Sequence, residues 1–224
     1  MKKKLIITAI IIVALGIIGY CCFQWYLSSH KAESEVKKPD SKEVAIKDQT
    51  KTGKTINSIA ELNGTFVSEV SNPKSSEILF NIGGATATQG TFNDFKISFE
   101  TNDSVKNLQV EINASSIYTA EDMRDDHLKG EEFFNVKKYS KITFTSNEIT
   151  KGDTSYLAKG KISFMGLTSD LSVPFSYIGQ SKADDQVEIF EGKFNFDRVK
   201  FGMAETSGAE NQVVVSFYTA LRKK

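Results

Sequence analysis

Two stretches of the chain, Phe95-Lys-Ile-Ser-Phe-Glu100 and Leu108-Gln-Val-Glu-Ile-Asn113, alternate apolar and polar residues with a period of two. That period sends successive side chains to opposite faces of a strand, so each stretch reads as a half-buried antiparallel strand. The polar turn Asn102-Asp103-Ser104 stands between them. A strand, a turn and a second strand of the same phase predict a hairpin with one face on a core.

The pattern continues outward. Ile142 and Phe144 alternate with Thr143 and Thr145, and Ser155–Gly160 leads into Ile162 and Phe164. Leu171, Val173, Phe175 and Tyr177 share one phase, as do Phe190, Phe194 and Phe196, and Val213, Val215 and Phe217. With a further strand around Glu77–Ile82, about eight strands are expected. The fold class is all-β, an antiparallel barrel of a size that side chains fill or that holds one small ligand. Pro174 cannot donate to a ladder and predicts an edge or a bulge. Only Ala120–Lys129 reads as helix, with Thr119 as N-cap, acids in the first turn and Gly130 at the end. Met123 and Leu128 are its candidates for packing on the barrel mouth.

The N-terminal part is different. Lys2-Lys3-Lys4 precede Leu5–Phe23, nineteen residues without a charge. At 1.5 Å per residue these match a hydrocarbon core of about 30 Å. Trp25 and Tyr26 follow where an interfacial aromatic belt belongs. Residues 1–27 are therefore expected to be a transmembrane helix acting as signal anchor. A cleaved signal peptide is the alternative, and a lipoprotein is disfavoured by Tyr20 before Cys21. All three readings put the globular domain outside the cytoplasmic membrane, periplasmic or extracellular. Residues 28–57 are charged and poor in apolar side chains, and are expected to be a flexible linker. Residues 58–224 form the domain.

Composition narrows the function. Residues 1–54 carry 10 Lys and 5 acids, whereas the remainder carries 18 basic and 23 acidic residues. A net-negative domain argues against nucleic acid, whose binding rests on Lys and Arg at phosphates. Cys21 and Cys22 are the only cysteines, so the domain has no disulfide, thiolate metal site or cysteine nucleophile. His127, the sole histidine of the domain, cannot build a multi-histidine metal site. The acids Glu121, Asp122, Asp125, Asp126, Glu131 and Glu132 surround a charged helix, and no nucleophile elbow or phosphate loop accompanies them. No catalytic residue, metal or cofactor is expected, and the protein is not expected to be an enzyme.

The domain is rich in Phe, with 16 in the chain and fifteen of them from Phe66 onward. Rigid aromatic walls suit a long apolar ligand, which gains roughly 0.8 kcal/mol for each CH₂ removed from water. Composition alone equally allows a filled core.

A set of spaced motifs bears on that choice. They are Ser116-Ile-Tyr-Thr119, Arg124-Asp-Asp-His-Leu128, Phe133-Phe-Asn135 and Phe144-Thr-Ser146, then the hairpin Ser155–Thr168, then Phe194-Asn-Phe-Asp-Arg-Val-Lys-Phe-Gly202, then Gln212–Leu221. Together they resemble the YceI-like family, bacterial polyisoprenoid-binding proteins with a lipocalin-like barrel, over residues 75–221. The chain departs from the family at Gln89 and at Asn72–Ser76, where histidine-containing runs are usual. The resemblance implies storage or transport of a long-chain isoprenoid or similar amphiphilic lipid. The alternatives are a side-chain-filled barrel serving as a protein-interaction or stress-response module, and a carboxylate-dependent hydrolase using Glu131 or Asp125.

For a lipid, the inward-phase residues Phe99, Val110, Phe144, Phe164, Phe175, Phe196 and Phe217 are the candidate tunnel wall. Arg124 and His127 are candidates for the head group. Arg124 pairs either with Asp125 or a loop acid, or with a prenyl phosphate, and Arg198 is expected to pair with Asp197 or a nearby carboxylate. The membrane is the second expected partner, through the N-terminal segment.

Overall fold

A computed structural model of the chain describes residues 58–68, 75–102, 106–153, 155–181 and 183–224. The expected transmembrane helix and linker lie outside these residues. Among the described residues no helix is long and apolar enough to cross a membrane.

The strands are β1 (Gly64–Ser68), β2 (Ser76–Gly84), β3 (Thr88–Phe92), β4 (Phe95–Thr101), β5 (Lys106–Asn113), β6 (Ile117–Tyr118), β7 (Lys141–Lys151), β8 (Tyr156–Phe164), β9 (Leu167–Gln180), β10 (Val187–Asp197) and β11 (Ala209–Lys223). The helix α1 (Asp122–Leu128) lies between β6 and β7. Eight strands close a ring in the order β1, β4, β5, β7, β8, β9, β10, β11, and β11 returns to β1. Every pairing is antiparallel.

The count agrees with expectation but the membership does not. β2 pairs with the long β11 over most of its length, leaving only Leu221–Lys223 for β1. β3 joins β2, and the short β6 joins β3, so these three extend the wall at one end. The eighth ring member is β1, five residues in which Phe66 is the only buried large apolar side chain. So short a run gives little period-two signal.

Hydroxyls extend the ladders. Ser68 Oγ accepts from the Ile97 amide at 2.8 Å, and Ser146 Oγ accepts from the Leu108 amide at 2.7 Å. Ser76 and Thr219 share a buried hydroxyl hydrogen bond of 2.9 Å. Each polar group is thus satisfied where water is excluded.

Two places shape the ring. At the bulge between Ser146 and Glu148, Gly160 lies so close that a Cβ there would stand 2.1 Å from the Thr145 carbonyl oxygen. Only glycine permits that approach. The second place is the β9–β10 seam. These strands pair from Gln180 to Ser176 and no further toward the β8–β9 turn. Pro174 lies two residues beyond Ser176, inside the stretch unpaired with β10, on the strand where an edge or bulge is expected.

The helix corrects the sequence reading at three points. It begins at Asp122, because Ala120 has φ 62° and cannot continue a right-handed turn. Thr119 is not the N-cap; Glu121 occupies that position without a side-chain cap. Met123 is 84% exposed rather than packed on the barrel, while Leu128 is buried as expected. The helix ends at a Lys129 cap, and the Gly130 amide bonds to the His127 carbonyl.

Candidate ligand-binding cavity

The barrel has a filled end and a hollow end. At the filled end a short 3-10 turn, Ile59–Glu61, is held by Tyr156, whose hydroxyl meets Ser58 Oγ at 3.0 Å and accepts from the Ile59 amide. Above it, Tyr156 stacks on Phe175, and Phe190 contacts Phe99, Phe175 and Tyr177 with ring centroids 5.3–6.2 Å apart. The Tyr177 hydroxyl donates to the buried Glu188 carboxylate at 2.6 Å. Burial holds the Glu188 carboxyl above the usual carboxylate range, against hydrogen bonds from Tyr177 and Gln180 and the charge of Lys223. Burial, and then the bond to Glu188, push the Tyr177 phenol well above its ordinary value.

Two adjoining chambers lie beyond this aromatic floor. The lower, of about 110 Å³, is lined by aliphatic and aromatic side chains with Thr143 and Thr219 as the exceptions. The upper, of about 400 Å³, is bounded by α1, the 85–88 turn and the segment after β10. Ile78, Ile112, Ile142, Ile162, Phe194 and Val215 line both and form a shared girdle, the neck, where the chambers adjoin. The neck draws on β5, β7, β8, β10 and β11 of the ring and on β2 beside it, so no single hairpin supplies it.

The candidate residues all face this interior. Phe99, Val110, Phe144, Phe175 and Phe217 line the lower chamber, and Phe164 and Phe196 the upper. Strand alternation put them there. Arg124 and His127 lie at the upper chamber's edge. Arg124 is already engaged: Nε donates to Thr119 Oγ1 and Nη2 to the Thr119 carbonyl, both at 2.9 Å, and Nη1 lies 3.2 Å from Glu121. The expected partner Asp125 instead accepts from the Thr119 amide and hydroxyl and is buried. This knot fixes the helix to β6. The His127 side chain is 69% exposed, sets its ring edge-on to Phe133 and lies 4.0 Å from Glu132.

Other residues of the upper chamber were not singled out by sequence. Phe134 joins Phe92 and Phe164 edge to face, with centroids 5.7 Å apart, and Phe201, outside the lining, backs Phe196 by stacking on it at 4.4 Å. Both phenylalanines sit in the motifs quoted above, but outside any alternating run. The expected Arg198–Asp197 pair does not form. Adjacent residues at a strand end point oppositely. Asp197 therefore faces Gln212 and Lys200, while Arg198 turns into the upper chamber, 2% exposed.

The two chambers together present a largely apolar lining. The acids of α1 other than Asp125 are exposed, and among the described residues no group of three His, Cys, Asp or Glu stands together as a metal set.

A sequence model of the YceI-like domain matches residues 70–221. This chain belongs to the YceI-like family.

Among curated proteins, a UPF0312 protein of Pectobacterium atrosepticum is 38% identical over 94 residues, covering 41% of this chain and 49% of that protein. A UPF0312 protein of Yersinia enterocolitica is 37% identical over the same lengths. The match thus spans about half the length of these relatives. Among solved structures, the YceI-like domain resembles BcnA of Burkholderia cenocepacia, with TM-score 0.61 and 20% identity over 70% of this chain and 99% of that one. It resembles a polyisoprenoid binding domain from Saccharophagus degradans with TM-score 0.55 and 12% identity, over 73% and 100%. At these identities the likeness concerns the fold.

Proposed function

We propose that the YceI-like barrel binds a long-chain polyisoprenoid or similar amphiphilic lipid in its interior. The observation that carries this reading is the pair of adjoining chambers, the lower one apolar apart from Thr143 and Thr219, which share a girdle of six aliphatic and aromatic side chains. A side-chain-filled barrel would leave no such space. The upper chamber lies within the range of about 300–1,000 Å³ typical of small-molecule sites. The polyisoprenoid-binding fold neighbour supports the same ligand class. A ligand held this way is stored or carried, and no bond is made or broken. The domain works on the exported side of the cytoplasmic membrane, tethered through Leu5–Leu27. Lys2–Lys4 on one side of that segment and Trp25-Tyr26 on the other support this topology. Protease added to spheroplasts then removes the domain; protection would refute the orientation.

Native mass spectrometry with organic extraction of the purified chain tests the binding. A co-purifying long-chain lipid is expected. Val215→Phe adds bulk at the neck, where free space receives it, and should lower affinity for a C40 prenol about tenfold while sparing short chains. Thr145→Asp, on the exposed face of β7 beside Lys161, should change nothing. Equal effects of the two variants would remove the interior as the binding site.

A further inference from the structure

Among the described residues, the one charged group that enters the upper chamber without a charged partner is Arg198. Its Nε donates to the Glu210 carbonyl at 3.1 Å, and its Nη1 donates to the Ala204 carbonyl. Its Nη2 is buried and has no hydrogen-bond partner. Both acceptors in use are neutral, so the guanidinium keeps a full positive charge in a site that water reaches poorly. A guanidinium does not shed its proton to relieve this. An uncompensated buried charge and an unfilled donor are both costly.

The surroundings offer no internal remedy. Among the described residues, the polar lining of the upper chamber is Arg198, Arg124, His127, Thr86, Thr88 and Thr206, with no carboxylate. Arg124 is neutralised by Glu121. The Thr88 and Thr206 hydroxyls donate to the Thr86 and Ala204 carbonyls. Asp197, next in sequence, is held on the outer face. The chamber therefore has one unmatched positive charge beside a lower space with almost no polar lining.

We propose that Arg198 is the head-group site of the cavity, and that its guanidinium takes the carboxylate of a long-chain carboxylic acid whose tail lies along the neck toward the lower chamber. The inference rests on the lipid-binding reading and specifies the ligand's polar end. A singly charged oxyanion matches the single spare cation and forms a charge-assisted hydrogen bond with it. A diphosphate would carry more negative charge into the chamber than the chamber can balance. A neutral alcohol would fill the donor but leave the charge.

Competition binding on the purified full-length chain compares geranylgeranoic acid, geranylgeraniol and geranylgeranyl diphosphate, three probes with one tail and different heads. The acid should bind at least about tenfold more tightly than the alcohol, a difference of about 1.4 kcal/mol, and more tightly than the diphosphate. In Arg198→Gln the ratio of acid to alcohol affinity should fall toward one, and in Arg198→Lys it should stay above five. Acid and alcohol bound within twofold of each other by the wild type would overturn the assignment, and this comparison needs no variant to fold. Tighter binding of the diphosphate would overturn the carboxylate choice. Failure of all three probes to bind would instead reject lipid binding itself.

Discussion

Single side chains at the filled end carry a pH signature. The Glu188 carboxyl is held above its ordinary value by burial. Below the unfolded value, 4.5, the group is protonated in both states and imposes no charge-burial cost. As pH rises through the raised folded value, the native state must ionise a buried carboxyl, and the stability present at low pH is lost. Glu188→Gln keeps an acceptor for the Tyr177 hydroxyl without the charge. It should raise the melting temperature at pH 7 and have no such effect below pH 4; an equal shift at both would show that packing, not ionisation, is responsible. A second residue, Asp125, accepts two hydrogen bonds from Thr119 in a buried position. Asp125→Ala strands both donors and should cost about 1–3 kcal/mol in urea unfolding. Arg198 shows what sequence hides at this scale. Asp197 stands beside it in the chain, yet the strand's alternation separates the two charges, one into the barrel and one out. Adjacency suggested a pair where geometry forbids one.

At the level of elements, the strands were legible because one face of each meets the core and the other meets solvent. Phe95–Glu100 and Leu108–Asn113 fall in β4 and β5, paired Phe99 to Leu108 and Ile97 to Val110. The seven apolar wall residues were legible for the same reason, since inward phase is inward position. What escaped was whatever has no period: the five-residue β1, the two-residue β6, and the aromatic rim at Phe134 and Phe201. The start of α1 escaped because it depends on one dihedral. Ala120 holds φ 62°, a left-handed conformation that strains a residue with a Cβ. Ala120→Gly removes that strain and should stabilise the protein by about 0.5–1 kcal/mol, read as a shift in the urea midpoint. A loss instead would mean that added freedom of the unfolded chain outweighs the relief.

For the whole molecule, closure of the ring is what makes an interior. The neck takes one side chain from each of six strands, so no isolated hairpin could reproduce it. Yet the closure is uneven. Beyond Ser176 and Glu191 the ladder between β9 and β10 stops, and Leu171, Val173 and Phe194 line the lower chamber along that stretch. Amides of residues 168–173 that point toward β10 lack a ladder partner on that side. Hydrogen exchange should find them faster than the amides of β8, which is paired along both edges. Equal protection on the two strands would show the seam to be shut. A cylinder stitched along every edge has a fixed girth, and swelling it means tearing hydrogen bonds. A cylinder with one unstitched length has no such bonds to tear there, so any change of girth would begin at that seam, as a split ring opens at its slit.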